Sequence, residues 1–384
     1  MEKTNQKNKQ QVVSIDLRTY AMVAVLILVA VLFGVLTKGT FFTPRNLSNL
    51  FRAMSITAVI GIGMVMIMVS GNIDLSVGAI VALCGGIAAI LQVWYHWSTW
   101  AVVIVALILG AVLGGWSGYW VAFQKLPAFI VTLGSQLAFR GTYLVISQGI
   151  TITPISTSFA NISQSYLPPA LGIVVGIVGG AAMTAMFLMN RHSRKKYGFQ
   201  NGPVLGLVVK IALTWILIGA FVLTLNQFKG IPAPVMIVIV LAVIFIFITT
   251  RTRFGRRIYA IGGNQEAARL SGINVRTYTM VLYIVMGFLS AISGIMLTAR
   301  LDGATAAAGT AYETDVISAV VIGGTSMAGG KGTIAGALIG ALIIASLDNG
   351  MSLLNITYYY QNIVKGLVLI FAIWLDVATR SKKS

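Results

Sequence analysis

Apolar runs long enough to cross a bilayer recur along this chain and limit what it can fold into. A run of about 17–25 residues spans a hydrocarbon core about 30 Å thick as a helix, because lipid offers the backbone no hydrogen-bond partners and a helix satisfies its own. Such runs, or shorter versions of them, lie at 20–37, 53–70, 76–91, 100–123, 127–146, 169–189, 204–225, 232–249, 278–299, 315–325, 333–347 and 363–378. Twelve segments put both chain ends on one side. Composition points the same way: 57% of the 384 residues are apolar and 9% are charged, against about a quarter charged in soluble domains. The expected fold is an all-α polytopic membrane protein. Residues 20–378 form one transmembrane domain between tails at 1–19 and 379–384. Lys3, Lys7, Lys9 and Arg18 precede the first run as in a signal peptide, but that run reaches Thr37 and no small-x-small cleavage site follows. An uncleaved first span is expected.

The net charge is +18, which in a soluble protein would suggest a polyanion as partner. Sorting the 27 basic residues by loop gives another reading. With the N-terminus inside, nineteen fall on the inner side, including Lys125, Arg191, Arg194, Lys195, Lys196, Lys331 and six in the loop at 250–277. Four, Lys38, Arg45, Arg52 and Lys229, fall outside, and Arg140, Lys210, Arg300 and Lys365 lie within or at the ends of spans. The positive-inside rule then makes both termini cytoplasmic. The charge reports topology, and nucleic acid is not an expected partner.

The rare residues exclude most covalent chemistry. One cysteine, Cys84, and two distant histidines, His96 and His192, leave no disulfide framework, metal site or cofactor site to expect. The nine acids are mostly isolated, which argues against paired-carboxylate catalysis. The stretch GGTSMAGGKGT at 323–333 resembles a P-loop, but Thr325 and Gly332 stand where that loop needs Gly and Ser or Thr. No catalytic residue is assigned, and an energy source must come from another chain.

Three segments, 76–91, 315–325 and 333–347, are short for a crossing and bounded by Gly and polar residues. Interrupted helices are tolerated at membrane depth where their backbone lines a buried or aqueous cavity. Before the first of them, Asn72, Asp74 and Ser76 are helix-capping residue types, and a lone carboxylate there can also line a polar path. Thr325 and Ser326 occupy the analogous Gly-rich break, so 71–86 and 321–343 suggest a weak internal repeat. These five residues are the candidates for lining or gating a path. Glycines at small-residue spacing, as in Gly110 through Gly118 and Gly336 through Gly340, predict close helix packing.

The longest polar loop on the basic side, 250–279, carries its own short helix. Asn264 can cap it, Glu266 sits in its first turn where the helix dipole favours an acid, and Gly272 supplies the stop. Two turns are unstable alone in water, so this helix must dock on the spans or on a partner.

Here the chain resembles permease subunits of ATP-binding-cassette importers. Glu266, Ala267, Ala268 and Gly272 spell E-A-A-x-x-x-G, the pattern of the coupling helix that fits a cleft in the ATPase subunit of such importers. The I-x-L-P that follows it in other branches is missing. SGNIDLSVGA, TRFGRRIYAIGGNQEAARLSGINV and ISAVVIGGTSMAGGKGTIAGALIG resemble the ribose/xylose/galactoside branch. Ribose-type relatives look like ten-span proteins, and an extra stretch at 169–225 reads as a two-span insertion resembling the xylose-type members. The resemblance implies a bacterial inner-membrane permease for a monosaccharide, D-xylose by this insertion, working by alternating access. It implies coupling through Asn264, Glu266, Ala267, Ala268, Arg269 and Gly272. It also implies cytosolic ATPase subunits, an extracytoplasmic sugar-binding protein and a homodimer of this chain as partners.

Two alternatives stay open on the residues. An ion-coupled carrier would have as many spans but would need intramembrane acids paired with basic or polar partners. A branched-chain amino-acid permease shares the short-helix elements. On the outer side, Trp94, Tyr95, Trp97, Trp100 and Tyr358 through Tyr360 read as an interfacial belt. Asp302, Glu313 and Asp315 on one loop, with Arg45, Arg52 and Lys229 on others, read as solvated charges or as a docking surface for the binding protein.

Overall fold

The computed structural model describes residues 17–198 and 202–381. Lys3, Lys7, Lys9, Lys382 and Lys383 lie outside the described residues, as does most of the expected 1–19 tail. In chain order the helices are α1 Leu17–Leu36, α2 Pro44–Val69, α3 Val77–Val93, α4 Thr99–Ala122, α5 Ala128–Ser147, α6 Thr157–Gln164, α7 Pro169–Lys196, α8 Val204–Asn226, α9 Ala233–Arg251, α10 Arg253–Gly263, α11 Gln265–Leu270, α12 Val275–Leu301, α13 Tyr312–Ile322, α14 Ile334–Leu353 and α15 Tyr358–Ser381. A two-residue antiparallel ribbon, β1 Tyr166–Leu167 with β2 Ile231–Pro232, is the one sheet among the described residues. Each of the twelve expected segments is a helix. Eight of them, α2, α4, α5, α7, α8, α9, α12 and α14, are long and apolar enough to cross a bilayer. The protein is an all-α polytopic membrane protein.

Helix α12 is the axis of the core, packed on α2, α3 and α4. Small residues make this possible. Gly110 and Gly114 of α4 meet Gly287 of α12, and Gly85 of α3 meets Gly294, so close that a methyl on any of these glycines would overlap the facing helix. Gly336 and Gly340 of α14 press in the same way on the Gly323 and Ala319 carbonyls at the end of α13. The small-residue spacing in the sequence therefore marks backbone-to-backbone contact. Helices α7 and α8 pack on each other at the edge of the bundle, joined to it by Phe221 edge-on to Phe51 and by the β1–β2 ribbon.

The structure corrects one of the three short segments. The run at 333–347 is part of α14, which continues to Leu353 and reaches crossing length. Its polar end, Asp348 and Asn349, looks like a helix stop, but both side chains have distant partners. Asn349 exchanges two amide hydrogen bonds with Asn46 of α2, at 2.8 and 2.9 Å. Asp348 pairs with Lys365 of α15 at 3.4 Å, and the same ammonium holds Asp315 of α13 at 2.9 Å. Helices α3 and α13 remain short, at 17 and 11 residues.

Lys365 thus ties three helices together through two carboxylates. Removing one member of a buried ion group leaves uncompensated charge, at a cost of about 3–5 kcal/mol. Lys365→Met is expected to lower the thermal unfolding midpoint of detergent-solubilised protein by several degrees. Adding Asp315→Asn and Asp348→Asn to it should recover part of the loss. A single variant that melts with wild type would remove the triad from the fold's supports.

Candidate functional site

The loop after α9 is two helices where one was expected. Thr252 caps α10 by accepting from the Gly255 N–H at 3.2 Å. Phe254 stacks on Tyr278 of α12, whose hydroxyl accepts from Arg257 at 2.6 Å. The three glycines and four arginines between 251 and 263 hid this helix from a pattern reading. Helix α11 follows as expected. The Asn264 side chain accepts from the Ala267 N–H at 2.9 Å, and Gly272 closes the end with φ +79°. Arg269 reaches back to Glu266 at 2.6 and 3.2 Å, and its hydrogen bonds and charge hold the Glu266 carboxyl below the usual carboxylate range. Ala268 is buried against the protein, whereas Gln265, Glu266, Ala267, Arg269 and the apolar Leu270 face outward.

Two helix breaks lie directly behind this loop. The first, 70–76, follows α2. Asp74 is fully buried and its Oδ1 accepts from both the backbone N–H and the hydroxyl of Ser76, at 2.8 and 2.6 Å. Ser76 occupies the cap position of α3 but makes no side-chain cap bond, so Asp74 does the bracketing from two residues upstream. Tyr283 of α12 donates its hydroxyl hydrogen to the Ile73 carbonyl at 3.3 Å. The second break, 323–333, folds on itself through Ser326 N–H to the Lys331 carbonyl at 2.8 Å, and Thr333 caps α14 by accepting from the Gly336 N–H.

The two breaks are joined to each other and to α10. Gly330 N–H donates to the Val69 carbonyl at 2.8 Å. Gly262, near the end of α10, lies against that same carbonyl and against Gly330, with no room for a side-chain carbon. Tyr259, one turn earlier, donates to the Gly332 carbonyl at 2.7 Å. Three backbones therefore meet at Val69, Gly262 and Gly330, directly before α11.

Beside this junction lies a cavity of about 740 Å³, bordered by Asn72, Lys125, Asn264, Glu266, Arg269 and Arg276 among others. Its volume is that of a small-molecule site. Among the sequence candidates it collects Asn72, Asn264, Glu266 and Arg269. Ala267, Ala268 and Gly272 lie on the same loop without bordering it. Asp74, Ser76, Thr325 and Ser326 are buried in the packed breaks. Lys125 and Arg276 were legible only as topology markers, and Tyr259 and Gly262 carried no signal of their own. Among the described residues no three His, Cys, Asp or Glu side chains converge, so the cavity offers polarity and volume rather than a catalytic or metal constellation.

The expected outer charge surface is partly internal. Glu313 and Asp315 belong to the first turn of α13, where Glu313 accepts from Gln136 at 2.9 Å and Asp315 is held by Lys365. Arg52 donates to the Ser163 carbonyl and the Tyr166 hydroxyl, and Lys229 lies over the rings of Tyr166 and Phe228.

Crossing helices, two helix breaks within the bundle and an inner polar cavity define a polytopic membrane protein built like a transporter. The chain belongs to the family described as "Branched-chain amino acid transport system / permease component", which matches residues 46–373. It is similar to the xylose transport system permease protein XylH of Escherichia coli (strain K12), with 44% identity over 96% of this chain and 94% of that protein. The Haemophilus influenzae protein of the same name is 42% identical over 96% and 98%. The ribose import permease protein RbsC of E. coli K12 is 36% identical over 93% and 92%. No solved structure matches the chain. The likeness read from the motifs, to xylose- and ribose-type permeases, is borne out.

Gly262 and Gly263 provide a test of the junction. Gly262→Ala sets a methyl onto the Val69 carbonyl, and overpacking of this kind costs about 1–3 kcal/mol. Gly263→Ala meets nothing within 4 Å and is expected to be neutral or to stabilise by up to about 1 kcal/mol. Thermal unfolding in detergent should separate the two. Equal midpoints would mean that the junction is looser than described.

Proposed function

We propose that this chain is the membrane-spanning permease subunit of an ATP-binding-cassette importer for D-xylose, seated in a bacterial inner membrane. Two copies form the path between them, two cytosolic ATPase subunits drive it, and an extracytoplasmic binding protein delivers the sugar. The observation that carries this reading is α11. It is a short helix with outward polar residues and an exposed Leu270, directly following the stretch of α10 whose backbone meets both helix breaks. Closure of the ATPases moves α11 and α10, and the junction passes that displacement to α2 and to the 323–333 break. The packed helices behind them then rock between an outward and an inward opening. Asn72 borders the inner cavity and is the path-lining candidate closest to this motion. Asp74, Ser76, Thr325 and Ser326 hold the two breaks in shape and act as gate elements. The choice of xylose rests on the similarity to the two XylH proteins across nearly the whole chain, including the α7–α8 pair.

An ion-coupled carrier would use intramembrane ion pairs, and the Lys365 triad is one. The triad nevertheless joins α13, α14 and α15 away from the residues bordering the cavity, and the relatives carry permease names, the ribose one an import permease. Proteoliposomes holding this chain with its ATPase and binding protein should take up radiolabelled D-xylose on ATP addition, and should continue when proton and sodium gradients are collapsed. Uptake that stops with the gradients would replace this reading by the carrier. Glu266→Ala and Gly272→Val are expected to reduce xylose uptake at least tenfold while ATP hydrolysis continues and the chain still inserts. Gly272→Val forces a β-branched residue to positive φ. Wild-type uptake in both variants would remove α11 from coupling.

A further inference from the structure

The middle of α5 carries polarity that the coupling machinery does not use. At 1.5 Å per residue the 20-residue helix is about 30 Å long, with Gln136 about 12 Å and Arg140 about 18 Å from its start. The two are one turn apart on one face and bracket the midplane of the span. Gln136 donates its amide to Glu313 Oε1 at 2.9 Å. Arg140 donates to the carbonyl of Ala308 at 2.5 Å, to that of Ala306 at 3.4 Å and to the Thr310 hydroxyl. Glu313 also abuts Gly78 at the start of α3, so both short helices begin at this cluster.

None of these three side chains is enclosed. Gln136, Arg140 and Glu313 are half-buried, Thr310 and Thr314 are exposed, and the flank of α5 beside them is bare. Gly134 and Gly141 have nothing within 4 Å, and Leu137 and Val145 are exposed. A guanidinium and a carboxylate at mid-depth are costly against acyl chains, and in membrane proteins such groups face a bundle interior or a water-filled space. Their chemistry narrows what that space carries. The pair is neutral overall, which suits an uncharged solute over an anion or a cation. A carboxylate has about four acceptor sites, more than one amide donor fills, and the Gln136 carbonyl adds another. Neighbouring hydroxyls of a sugar supply matching donors, while the guanidinium and Thr310 supply donors for sugar oxygens.

We propose that Gln136, Arg140 and Glu313 form a hydroxyl-recognition site for a neutral monosaccharide at mid-depth of the translocation path. This rests on the importer reading above. The site holds the sugar by exchanging the Gln136–Glu313 bond for bonds to hydroxyls, so that desolvation at mid-membrane is offset.

The test uses the assembled complex in proteoliposomes. Gln136→Leu and Glu313→Gln are expected to lower ATP-driven D-xylose uptake at least tenfold. Leu137→Cys leaves the site intact and adds an exposed thiol beside it, while the native Cys84 is buried. A membrane-impermeant methanethiosulfonate should label Leu137→Cys, and saturating D-xylose should slow that labelling at least threefold, whereas sucrose at equal osmolality should not. Wild-type uptake in both polar variants, or a Leu137→Cys thiol that is inaccessible or unprotected by xylose, overturns the site while leaving the importer reading standing. A wild-type complex that imports no pentose removes the importer reading and the site with it.

Discussion

Two helices, α2 and α13, stop at breaks packed against one another at the inner end of the bundle, where many of the backbone groups they release are buried. A buried backbone group left unpaired is costly, and the breaks at 70–76 and 323–333 are satisfied by each other and by neighbouring helices. Gly330 N–H takes the Val69 carbonyl, Asp74 takes the Ser76 N–H, and Tyr283 and Tyr259 reach in from α12 and α10 to the Ile73 and Gly332 carbonyls. The approach needed for these bonds admits no side chain at Gly262, and the packing of α14 on the end of α13 beside them admits none at Gly323, Gly336 or Gly340.

The same constraint determines how motion can travel. A close-packed junction of backbones has few ways to yield, because interiors at crystal-like density transmit displacement instead of absorbing it. The segment 259–263 touches both breaks by backbone or by a hydrogen bond to backbone, and it runs directly into α11. On the reading proposed above, a push on α11 reaches α2 and the 323–333 break through these backbone contacts. The α7–α8 pair, by contrast, meets the bundle through α2 and the β1–β2 ribbon, and lies off this route.

Legibility in the sequence followed distance along the chain. Helix α11 could be read because its determinants, Asn264, Glu266 and Gly272, lie within nine residues of each other. The crossing helices could be read because hydropathy is local. The full length of α14 could not, because Asn349 is satisfied by Asn46, 303 positions away, and Asp348 pairs with a lysine on the next helix. Glu313 and Asp315 looked like loop charges for the same reason: their partners, Gln136 and Lys365, lie 177 and 50 positions away. Helix α10 was missed for a local reason, since glycines demanded by packing read as helix breakers. Asp74 was placed correctly at a helix start, but which atom it would cap depended on a turn geometry that residue type does not encode.

The acids illustrate how one piece of physics serves two environments. Glu266 lies in the first turn of α11, Glu313 and Asp315 in the first turn of α13, and Asp74 just before α3. Helix starts present free N–H groups and the positive end of the dipole, so a carboxylate is favoured at each. At α11 the surroundings are water, and the exposed Glu266 is paired with the equally exposed Arg269 one turn on. At α13 and α3 the surroundings are apolar, so each acid needs a further donor: Lys365 for Asp315, Ser76 for Asp74, Gln136 for Glu313. A lysine holds its acid through charge and a bracketing serine through chain geometry, and both fix structure. A neutral amide on another helix gives the weakest hold of the three, and Glu313 is also the most open of these membrane-depth acids. Glu313 is therefore the acid whose partner can most readily be exchanged for a passing hydroxyl.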